Sequence, residues 1–523
     1  MQREKLIRRI ADTNKVWDMI VIGGGATGLG VTLDGALRGY QVAMFEQHDF
    51  AKYTSSRSTK LVHGGVRYLK RGDVALVREA SVERGRLRRN APHLVRNMSF
   101  VIPNYTRFEV FLYTIGLSLY DIISWGKLRL GRSAPISTRL TMKYLPTVKK
   151  EGLRGGVVYH DGQFDDSRLA INLAQSCIEQ GACPVNYMRV IGILHDEKGL
   201  VSGVEVKDME TEKVYQIKSK CVVNATGVSV DDIIRMDVPS KRRMVQPSQG
   251  VHLVLDNIFL QSNRALMIPD AANGRVLFAV PWHDKVILGT SDIVSDNYEI
   301  EPVPLDEDID FILETAGKYL TPKPERKDVL SMFAGQRPIA APIKEGETSK
   351  EISRSHRIFV TEHNLITVTG GRWTTYRRMS EDTVNKAIKL NLLPKRLCKS
   401  RTFKIHGYKL NPDVSSHLYV YGSDKPAIKK MIDNESMMAA LIHPDYKYTV
   451  AEIIWAARKE MARTVEDVLS RRVRLLIVDA RAAIEAAPVV AQIMADELGY
   501  NQVWIDGQIE AFNKIAQKYL PRV

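Results

Sequence analysis

Near its N-terminus the chain reads Asp18-Met-Ile-Val-Ile-Gly-Gly-Gly-Ala-Thr-Gly28, an apolar strand followed by a glycine turn that opens a helix. In the G-x-G-x-x-G spacing, Gly23 permits the tight turn, Gly25 lets the backbone approach a pyrophosphate, and Gly28 lets the helix pack on the strand. The free N–H groups of the helix N-terminus bind phosphate oxygens. A second apolar strand ends at Glu46, about 20 residues beyond the turn, where a carboxylate accepts hydrogen bonds from ribose hydroxyls. The order of strand, glycine turn, helix, strand and acidic residue predicts a dinucleotide-binding βαβ unit. Because the carboxylate would repel the 2'-phosphate of NADP, FAD or NAD is favoured.

The composition indicates a globular chain of several domains with an excess of positive charge. Its 523 residues predict two or three domains. Seventy-five Lys and Arg against 60 Asp and Glu leave a formal charge of +15. This charge favours an anionic partner, such as a nucleic acid, an anionic lipid surface or a phosphorylated substrate, and the alternative interpretation is that it only improves solubility. Four cysteines without a C-x-x-C motif indicate a reducing compartment, and no metal site is predicted. We expect no secretory signal and no membrane-spanning helix.

Local patterns divide the remaining chain into three regions. Helices are predicted over 73–89 and 167–180, and an apolar strand is predicted over 221–224. Residues 244–300 alternate in period two, with turns predicted at Asn273-Gly274 and His283-Asp284, and this pattern predicts an antiparallel sheet suited to a substrate domain. From about residue 446 the apolar spacing is helical. The sequence therefore predicts a mixed α/β chain that ends in a separate helical domain.

Residues 108–125 predict a helix with an unusually apolar surface. The apolar positions follow helical spacing at Phe108, Phe111, Leu112, Ile115, Leu119 and Ile122. Three basic residues follow at Lys127, Arg129 and Arg132. An apolar helix beside a basic cluster suits the interface of an anionic bilayer, and a buried core helix explains the same pattern. The segment alone does not separate these two alternatives.

Three segments could bring chemistry to the dinucleotide cradle. The first runs from Ser55 to Tyr68 and contains hydroxyl groups, His63, the Gly64-Gly65 pair and Arg67. In the second, residues 335–338, an arginine precedes a rigid proline and could bind an anion in a bidentate manner. The third, residues 370–377, places an arginine at a glycine turn that opens a helix. The competing explanation of His63 is a histidine with a structural role. The competing explanation of Arg337, the arginine of the second segment, is an ordinary surface salt bridge.

Taken together, six motifs resemble one family closely. The sequence resembles the FAD-dependent glycerol-3-phosphate dehydrogenases of the D-amino-acid-oxidase superfamily. The motifs are IGGGATG (22–28), TSSRSTKLVHGGVRYL (54–69), VNATG (223–227), LGTSD (288–292), GQRP (335–338) and VTGGRWTTYR (368–377). The resemblance runs from about Trp17 to Thr375, and the helical tail resembles the family's C-terminal domain.

The resemblance implies FAD as cofactor and oxidation of sn-glycerol 3-phosphate to dihydroxyacetone phosphate. It implies a cationic substrate pocket of Arg67, Arg337, Arg354 and Arg372 with Tyr68 beside it. His252 and His63 are the candidate bases, because an imidazole titrates near neutrality, and Arg337 and Arg372 would assist catalysis. The residues expected at the cofactor are Gly23, Gly25, Gly28, Glu46, Ser55, Ser56, Gly64, Gly65, Ala225, Gly227, Gly371, Thr374 and Thr375. Arg372 replaces the lysine found in other members, and a guanidinium differs from an ammonium in its hydrogen-bond geometry.

The same resemblance implies a domain arrangement. A discontinuous Rossmann-like FAD-binding domain would comprise residues 16–100, 150–230 and 355–390. A substrate domain of antiparallel sheet would comprise residues 101–149 and 231–354, and the helical domain residues 400–523.

The electron acceptor distinguishes two enzyme hypotheses. Oxygen-dependent oxidases of the family carry an insertion between the GQRP and GG turns that this chain lacks, which favours a membrane quinone. We therefore expect a cytoplasmic protein attached peripherally to the inner face of the cell membrane, binding an anionic membrane surface, and a homodimer is possible. No nucleic-acid partner and no calcium loop are expected. The alternatives are a soluble glycerol-3-phosphate oxidase that forms hydrogen peroxide and a non-catalytic, basic nucleotide-binding module.

Overall fold

The structure is a computed structural model that describes residues 1–65, 73–123, 130–239, 243–271, 275–290, 293–295, 297–341 and 356–521. Its helices are α1 (Arg3–Ile10), α2 (Ala26–Leu37), α3 (Val74–Asn90), α4 (Arg107–Ile123), α5 (Thr138–Tyr144), α6 (Asp166–Glu179), α7 (Val230–Asp237), α8 (Asp306–Gly317), α9 (Tyr376–Lys389), α10 (Lys425–Asn434), α11 (Val450–Glu460), α12 (Leu475–Val478), α13 (Ala480–Leu498) and α14 (Gln502–Ala516). Short 3-10 turns include Thr54–Ser56 and Trp373–Thr375.

The strands of the first half are β1 (Val16–Trp17), β2 (Met19–Ile22), β3 (Val42–Phe45), β4 (Leu61–Val62), β5 (Val95–Asn104), β6 (Ala134–Ile136), β7 (Gly155–Phe164), β8 (Cys183–Val185), β9 (Met188–His195), β10 (Val201–Asp208), β11 (Val214–Ser219) and β12 (Val222–Asn224). Those of the second half are β13 (Val245–Asp256), β14 (Ala265–Ala271), β15 (Arg275–Trp282), β16 (Lys285–Gly289), β17 (Ile293–Val294), β18 (Val329–Ala340), β19 (Arg357–Val360) and β20 (Ile366–Thr369).

A six-stranded sheet carries the predicted βαβ unit. Its order is β19-β20-β12-β2-β3-β8, and all neighbours are parallel except the antiparallel pair β19 and β20. Every residue of β2 and β3 is buried, as both faces of a parallel sheet are covered. Helix α2 packs against α6 and α9. The βαβ unit predicted from residues 18–46 is therefore present in the structure.

A larger, mostly antiparallel sheet of ten strands contains residues 244–300, the segment in which apolar and polar residues alternate. The order along its main path is β17-β13-β16-β15-β14-β5-β7-β4, with β18 paired to β13 and β6 paired to β7. A turn at His283-Asp284, where both residues have positive φ, joins β15 to β16. The predicted antiparallel sheet is confirmed. The predicted turn at Asn273-Gly274 lies outside the described residues.

The chain ends in helices whose apolar core also includes side chains of β13, β15, β16 and β18. Helices α11 to α14 bury a cluster that includes Ile453, Val468, Leu476, Ala483 and Val490. Together with the two larger sheets, a third sheet of order β1-β11-β10-β9 completes the architecture. The mixed α/β class with a C-terminal helical region is confirmed, whereas the exact domain boundaries stay predictions.

Helix α4 presents its apolar residues to the surface. Phe108, Phe111, Leu112, Ile115, Leu119 and Ile122 are between 47% and 70% exposed. Only Leu117 and Tyr120 of this helix are buried. The interpretation of the segment as a buried core helix is therefore wrong. None of the described helices combines the length and apolar character needed to cross a bilayer.

Candidate active site

A cavity of about 400 Å³ opens at the carboxyl ends of the parallel strands. Ile22, Glu46, Ala225 and Gly370, which end or follow β2, β3, β12 and β20, all line it. This edge of an open parallel sheet is where α/β proteins bind their ligands. The cavity is lined by most of the predicted site residues: Gly23, Gly25, Glu46, Ser55, His63, Gly65, Ala225, Gly227, His252, Arg337, Gly371, Arg372 and Thr374.

The remaining predicted residues do not line the cavity or are not described. Gly28, Ser56, Gly64 and Thr375 lie behind its wall. Arg67, Tyr68 and Arg354 lie outside the described residues.

The glycines of the cradle leave no space for larger residues. Gly23 has a φ of +105°, and a Cβ added there would lie 2.7 Å from the Ala225 carbonyl oxygen. A Cβ added to Gly28 would lie 1.8 Å from the Gly23 carbonyl oxygen. The helix and the turn therefore approach each other as closely as a dinucleotide cradle requires.

Glu46 is buried against the cradle and accepts two backbone hydrogen bonds. The N–H groups of Gly24 and His48 donate to its two carboxylate oxygens at 2.6 and 2.9 Å. Burial raises the pKa of Glu46 to about 7, despite these two donors. Each carboxylate oxygen has further lone pairs that can accept a hydrogen bond. The position and chemistry of this side chain fit a ribose.

The serine-rich loop joins the cradle to the other two segments. Ser55 Oγ accepts from the Ala26 N–H at the start of α2 at 3.0 Å, and its carbonyl accepts from Trp373 Nε1 at 2.9 Å. Thr54 Oγ1 donates to the Gln336 carbonyl at 2.5 Å. The three segments therefore meet at one place, as the sequence predicts.

Three of the residues behind the cavity wall support the wall from the protein interior. The carbonyl of Ser56 accepts from the buried Lys60 Nζ at 2.7 Å. Gly64 donates to Asp161 Oδ1 at 3.2 Å, and Thr375 donates to the Arg372 carbonyl at 3.0 Å. These residues shape the cavity from outside it.

His252 lies at the cavity in a fully buried setting. Its ring stacks on Phe333 with centroids 4.8 Å apart, and its Nε2 lies 2.9 Å from Thr59 Oγ1. Burial, followed by the charges of Arg337 and Lys60, holds the pKa of His252 well below its usual value. The imidazole is consequently neutral at pH 7 and able to accept a proton.

Arg337 and Arg372 bring two guanidinium groups to the same cavity. Arg337 lies opposite Ser248 across the β13–β18 pair and donates to Thr290 Oγ1 at 3.4 Å. Gly250 makes room for it, since a Cβ there would lie 2.6 Å from Arg337 Nη2. Arg372 follows two glycines with positive φ, which turn the chain toward the cavity.

A buried polar cluster below Gly64 was not predicted. Arg84 donates to Asp161 at 2.7 Å and to the Tyr120 hydroxyl at 2.8 Å. Asp161 lines the cavity, and burial raises its pKa. These residues lie in three separate segments without a motif, so no local pattern could have identified them. Tyr120 belongs to α4, and the cluster thus links that helix to the cavity.

Comparison with known proteins places these features in one family. A family model described as FAD dependent oxidoreductase matches residues 18–377, and one described as the C-terminal domain of alpha-glycerophosphate oxidase matches residues 364–503. The two regions follow each other along the chain with a short overlap, so the comparison accounts for most of its length.

Named relatives match over nearly the whole chain. The probable mitochondrial glycerol-3-phosphate dehydrogenase of Dictyostelium discoideum is 37% identical over 96% of this chain and 84% of its own length. The mitochondrial glycerol-3-phosphate dehydrogenase of Schizosaccharomyces pombe is 36% identical over 99% of this chain and 89% of its own.

A solved structure agrees with these relatives. The glycerol-3-phosphate dehydrogenase of Bacillus halodurans complexed with FAD superimposes with a TM-score of 0.80 at 27% identity, covering 99% of this chain and 97% of that one. The chain therefore belongs to the FAD-dependent oxidoreductase family, among the glycerol-3-phosphate dehydrogenases.

Proposed function

We propose that this protein oxidises sn-glycerol 3-phosphate to dihydroxyacetone phosphate. Arg337, Arg372 and the neutral His252 line the same cavity as the dinucleotide cradle, and this placement supports the activity most strongly. A small phosphorylated alcohol needs cations for its phosphate and a base for its hydroxyl proton. The names of the relatives support this substrate.

Each part of the cavity has a role in this proposal. The cradle glycines and the start of α2 would hold the pyrophosphate of FAD, and Glu46 a ribose. When bound, FAD supplies the acceptor for the hydride that leaves C2 of the substrate. Arg337 and Arg372 bind the phosphate and the C2 oxygen, which orients the reacting C–H bond. Arg67, Tyr68 and Arg354 are proposed to complete this pocket, on the family resemblance alone.

His252 is proposed to take the hydroxyl proton as hydride leaves, so that no free alkoxide forms. Its low pKa in the cationic cavity keeps the ring unprotonated before substrate binds. A phosphate dianion beside Arg337 offsets the positive charge and raises the pKa of the imidazole. Binding therefore makes His252 a stronger base when it is needed. His63, which also lines the cavity, is the second candidate for this role.

We further propose a membrane quinone as electron acceptor. The exposed apolar face of α4 suits insertion into a bilayer surface. Exposed arginines flank the helix: Arg107 begins it, and Arg132 adjoins Ser133, whose N–H donates to Asp121 of the helix at 2.6 Å. Such cations favour anionic lipids.

The position of α4 relative to the cavity supports the same acceptor. Tyr120, on the opposite face of this helix, contacts Arg84 and Asp161 beside the cavity. A lipid-soluble acceptor at the apolar face would therefore be near the reaction site. The proposed location is the inner face of the cell membrane.

The test is turnover of purified protein with sn-glycerol 3-phosphate and a soluble quinone analogue. We expect dihydroxyacetone phosphate to form in step with quinone reduction. Glycerol, which lacks the phosphate, is the matched substrate control and should react far more slowly. Equal rates with glycerol would refute the arginine pocket. If oxygen is the only electron acceptor present and hydrogen peroxide forms in step with substrate oxidation, the oxidase alternative is established instead.

A further inference from the structure

Two histidines and an aspartate from three separate elements meet outside the cavity. His195 ends β9, Asp237 ends α7, and His363 lies in the turn between β19 and β20. His195 Nε2 and His363 Nδ1 lie 2.7 and 3.0 Å from Asp237 Oδ1, and the three ligand atoms are all within 4.8 Å of one another. The two imidazole rings meet edge to face with centroids 5.2 Å apart. We propose that His195, Asp237 and His363 form a binding site for a divalent transition metal ion, with zinc as the preferred ion.

The donor set matches the chemistry of such an ion. Imidazole nitrogen and carboxylate oxygen bind Zn²⁺ at about 2.0–2.2 Å, which places tetrahedral ligand atoms about 3.3 Å apart. The observed distances to Asp237 Oδ1, 2.7 and 3.0 Å, are about 0.6 and 0.3 Å shorter than this, and the two ring nitrogens lie within 4.8 Å of each other. Small side-chain rotations therefore suffice to admit the ion. Calcium and magnesium, which prefer all-oxygen sites, fit two imidazoles poorly.

Neighbouring groups hold the ligands in place. Thr361 Oγ1 donates to the second Asp237 oxygen at 2.5 Å, which fixes the carboxylate plane and leaves Oδ1 toward the histidines. The Val201 N–H donates to the His363 carbonyl at 2.9 Å and fixes the turn. Partners of this kind orient metal ligands and tune their affinity. The Asp237 carboxylate and the turn that carries His363 are thus positioned before an ion arrives.

Charge and exposure also favour a cation. The Asp237 side chain is fully buried, so its negative charge requires a compensating positive charge. The side chains of His195 and His363 are 29% and 33% exposed, which gives an ion access from solvent and leaves room for a bound water. Glu362 Oε1 lies 3.9 Å from His363 Nε2 and adds negative potential.

The site adjoins elements that also form the cavity wall. Arg189 and Val190 of β9 and Ile233 and Met236 of α7 line the cavity. An ion bound by His195 and Asp237 would join the ends of β9 and α7 to each other. Zinc should consequently stabilise the nucleotide-binding region without taking part in the reaction.

The experiment uses the flavin-loaded full-length protein after treatment with a chelator. Titration with Zn²⁺ in a calorimeter should show one ion per chain, and zinc should raise the Tm. His363→Ala should abolish this binding, and Thr361→Val should weaken it about 10–100-fold. The matched control is His443→Ala, which removes a histidine paired with the single carboxylate of Glu485 and should bind zinc like wild type.

Two outcomes would overturn the site. Wild-type protein that binds no zinc, or a His363→Ala protein that binds it as wild type does, would show that the three residues form a hydrogen-bonded cluster only. Because Asp237 is buried, Asp237→Asn is used only as a second variant. His363 lies in a partly exposed turn, so its substitution should leave flavin content unchanged, and this content checks that the variant is folded.

Discussion

Gly28 and Gly507 are both helical glycines, but only Gly28 faces a neighbouring backbone. A Cβ at Gly28 would lie 1.8 Å from the Gly23 carbonyl oxygen, whereas nothing lies within 4 Å of a Cβ at Gly507. We expect Gly28→Ala to lower the free energy of unfolding by about 1–3 kcal/mol and to reduce the bound flavin. Gly507→Ala should raise it by about 0.5–1 kcal/mol, because alanine favours a helix interior.

Urea denaturation and the ratio of flavin to protein absorbance test this pair of variants. A Gly28→Ala protein with full flavin and wild-type stability would contradict the close contact between helix and turn. The Gly507→Ala variant controls for the general effect of alanine in a helix.

Arg337 is expected to matter through its charge at the reaction site. Removing one partner of a buried charge interaction costs about 2–5 kcal/mol, so Arg337→Ala should lower kcat/KM for glycerol 3-phosphate by about 30-fold or more. The matched control is Arg458→Ala, which removes an exposed arginine paired with Glu497. An unchanged kcat/KM in Arg337→Ala would remove this residue from the substrate pocket.

Helix α4 has two faces with different expected roles. Replacing Leu112, Ile115 and Leu119 together by Gln should release the protein from vesicles that contain anionic lipids, because the inserted apolar area is lost. The fold should survive, since these three side chains are about half exposed. Co-sedimentation with vesicles measures the binding, and circular dichroism measures whether the fold survives.

The opposite face of α4 provides the control. Leu117 is 2% exposed, so Leu117→Ala should destabilise the protein by about 2–5 kcal/mol. The folded fraction should still bind vesicles. Vesicle binding that persists in the triple variant would show that α4 is not the attachment surface.

His406 connects α6 to the start of the C-terminal region. Burial lowers its pKa, but hydrogen bonds with Asp424 and Glu179 outweigh this and raise the pKa to about 9. A raised pKa in the folded state stabilises the protein below about pH 6.5, and this contribution is lost as the pH rises through 9. His406→Gln should therefore cost about 1–2 kcal/mol at pH 6, after allowance for solvent screening.

Denaturation of wild type and His406→Gln at pH 6 and pH 10 checks the direction in which the stability contributed by His406 changes with pH. The difference between the two proteins should shrink at the higher pH. A difference that stays constant or grows would contradict the assigned ion pairs.

Local sequence patterns predicted most of the fold. The glycine turn and the flanking apolar strands identified the βαβ unit, since strand, turn and helix lie within 30 residues. Helical spacing likewise identified α3 and α6 to within two residues at each end. Such elements are predictable because their signals are contained in one short segment.

Interactions between distant segments were not predictable in this way. Asp49 forms buried ion pairs with Arg471 and Arg472, which lie more than 420 residues away. Lys60 and Arg474 share the buried Asp166. In sequence these charges resemble surface residues, yet they join the helical region to the nucleotide-binding region. The cluster below Gly64 escaped prediction for the same reason.

The candidate site was partly predictable because its motifs are local, although their convergence depends on the fold. We expect the cavity to hold a flavin beside a pocket for glycerol 3-phosphate. The most direct test is the visible spectrum of the purified protein under nitrogen, before and after sn-glycerol 3-phosphate is added. We predict an oxidised flavin spectrum that the substrate bleaches. A protein without flavin, or a flavin that stays oxidised in the presence of substrate, would show that the cavity does not oxidise glycerol 3-phosphate with a flavin.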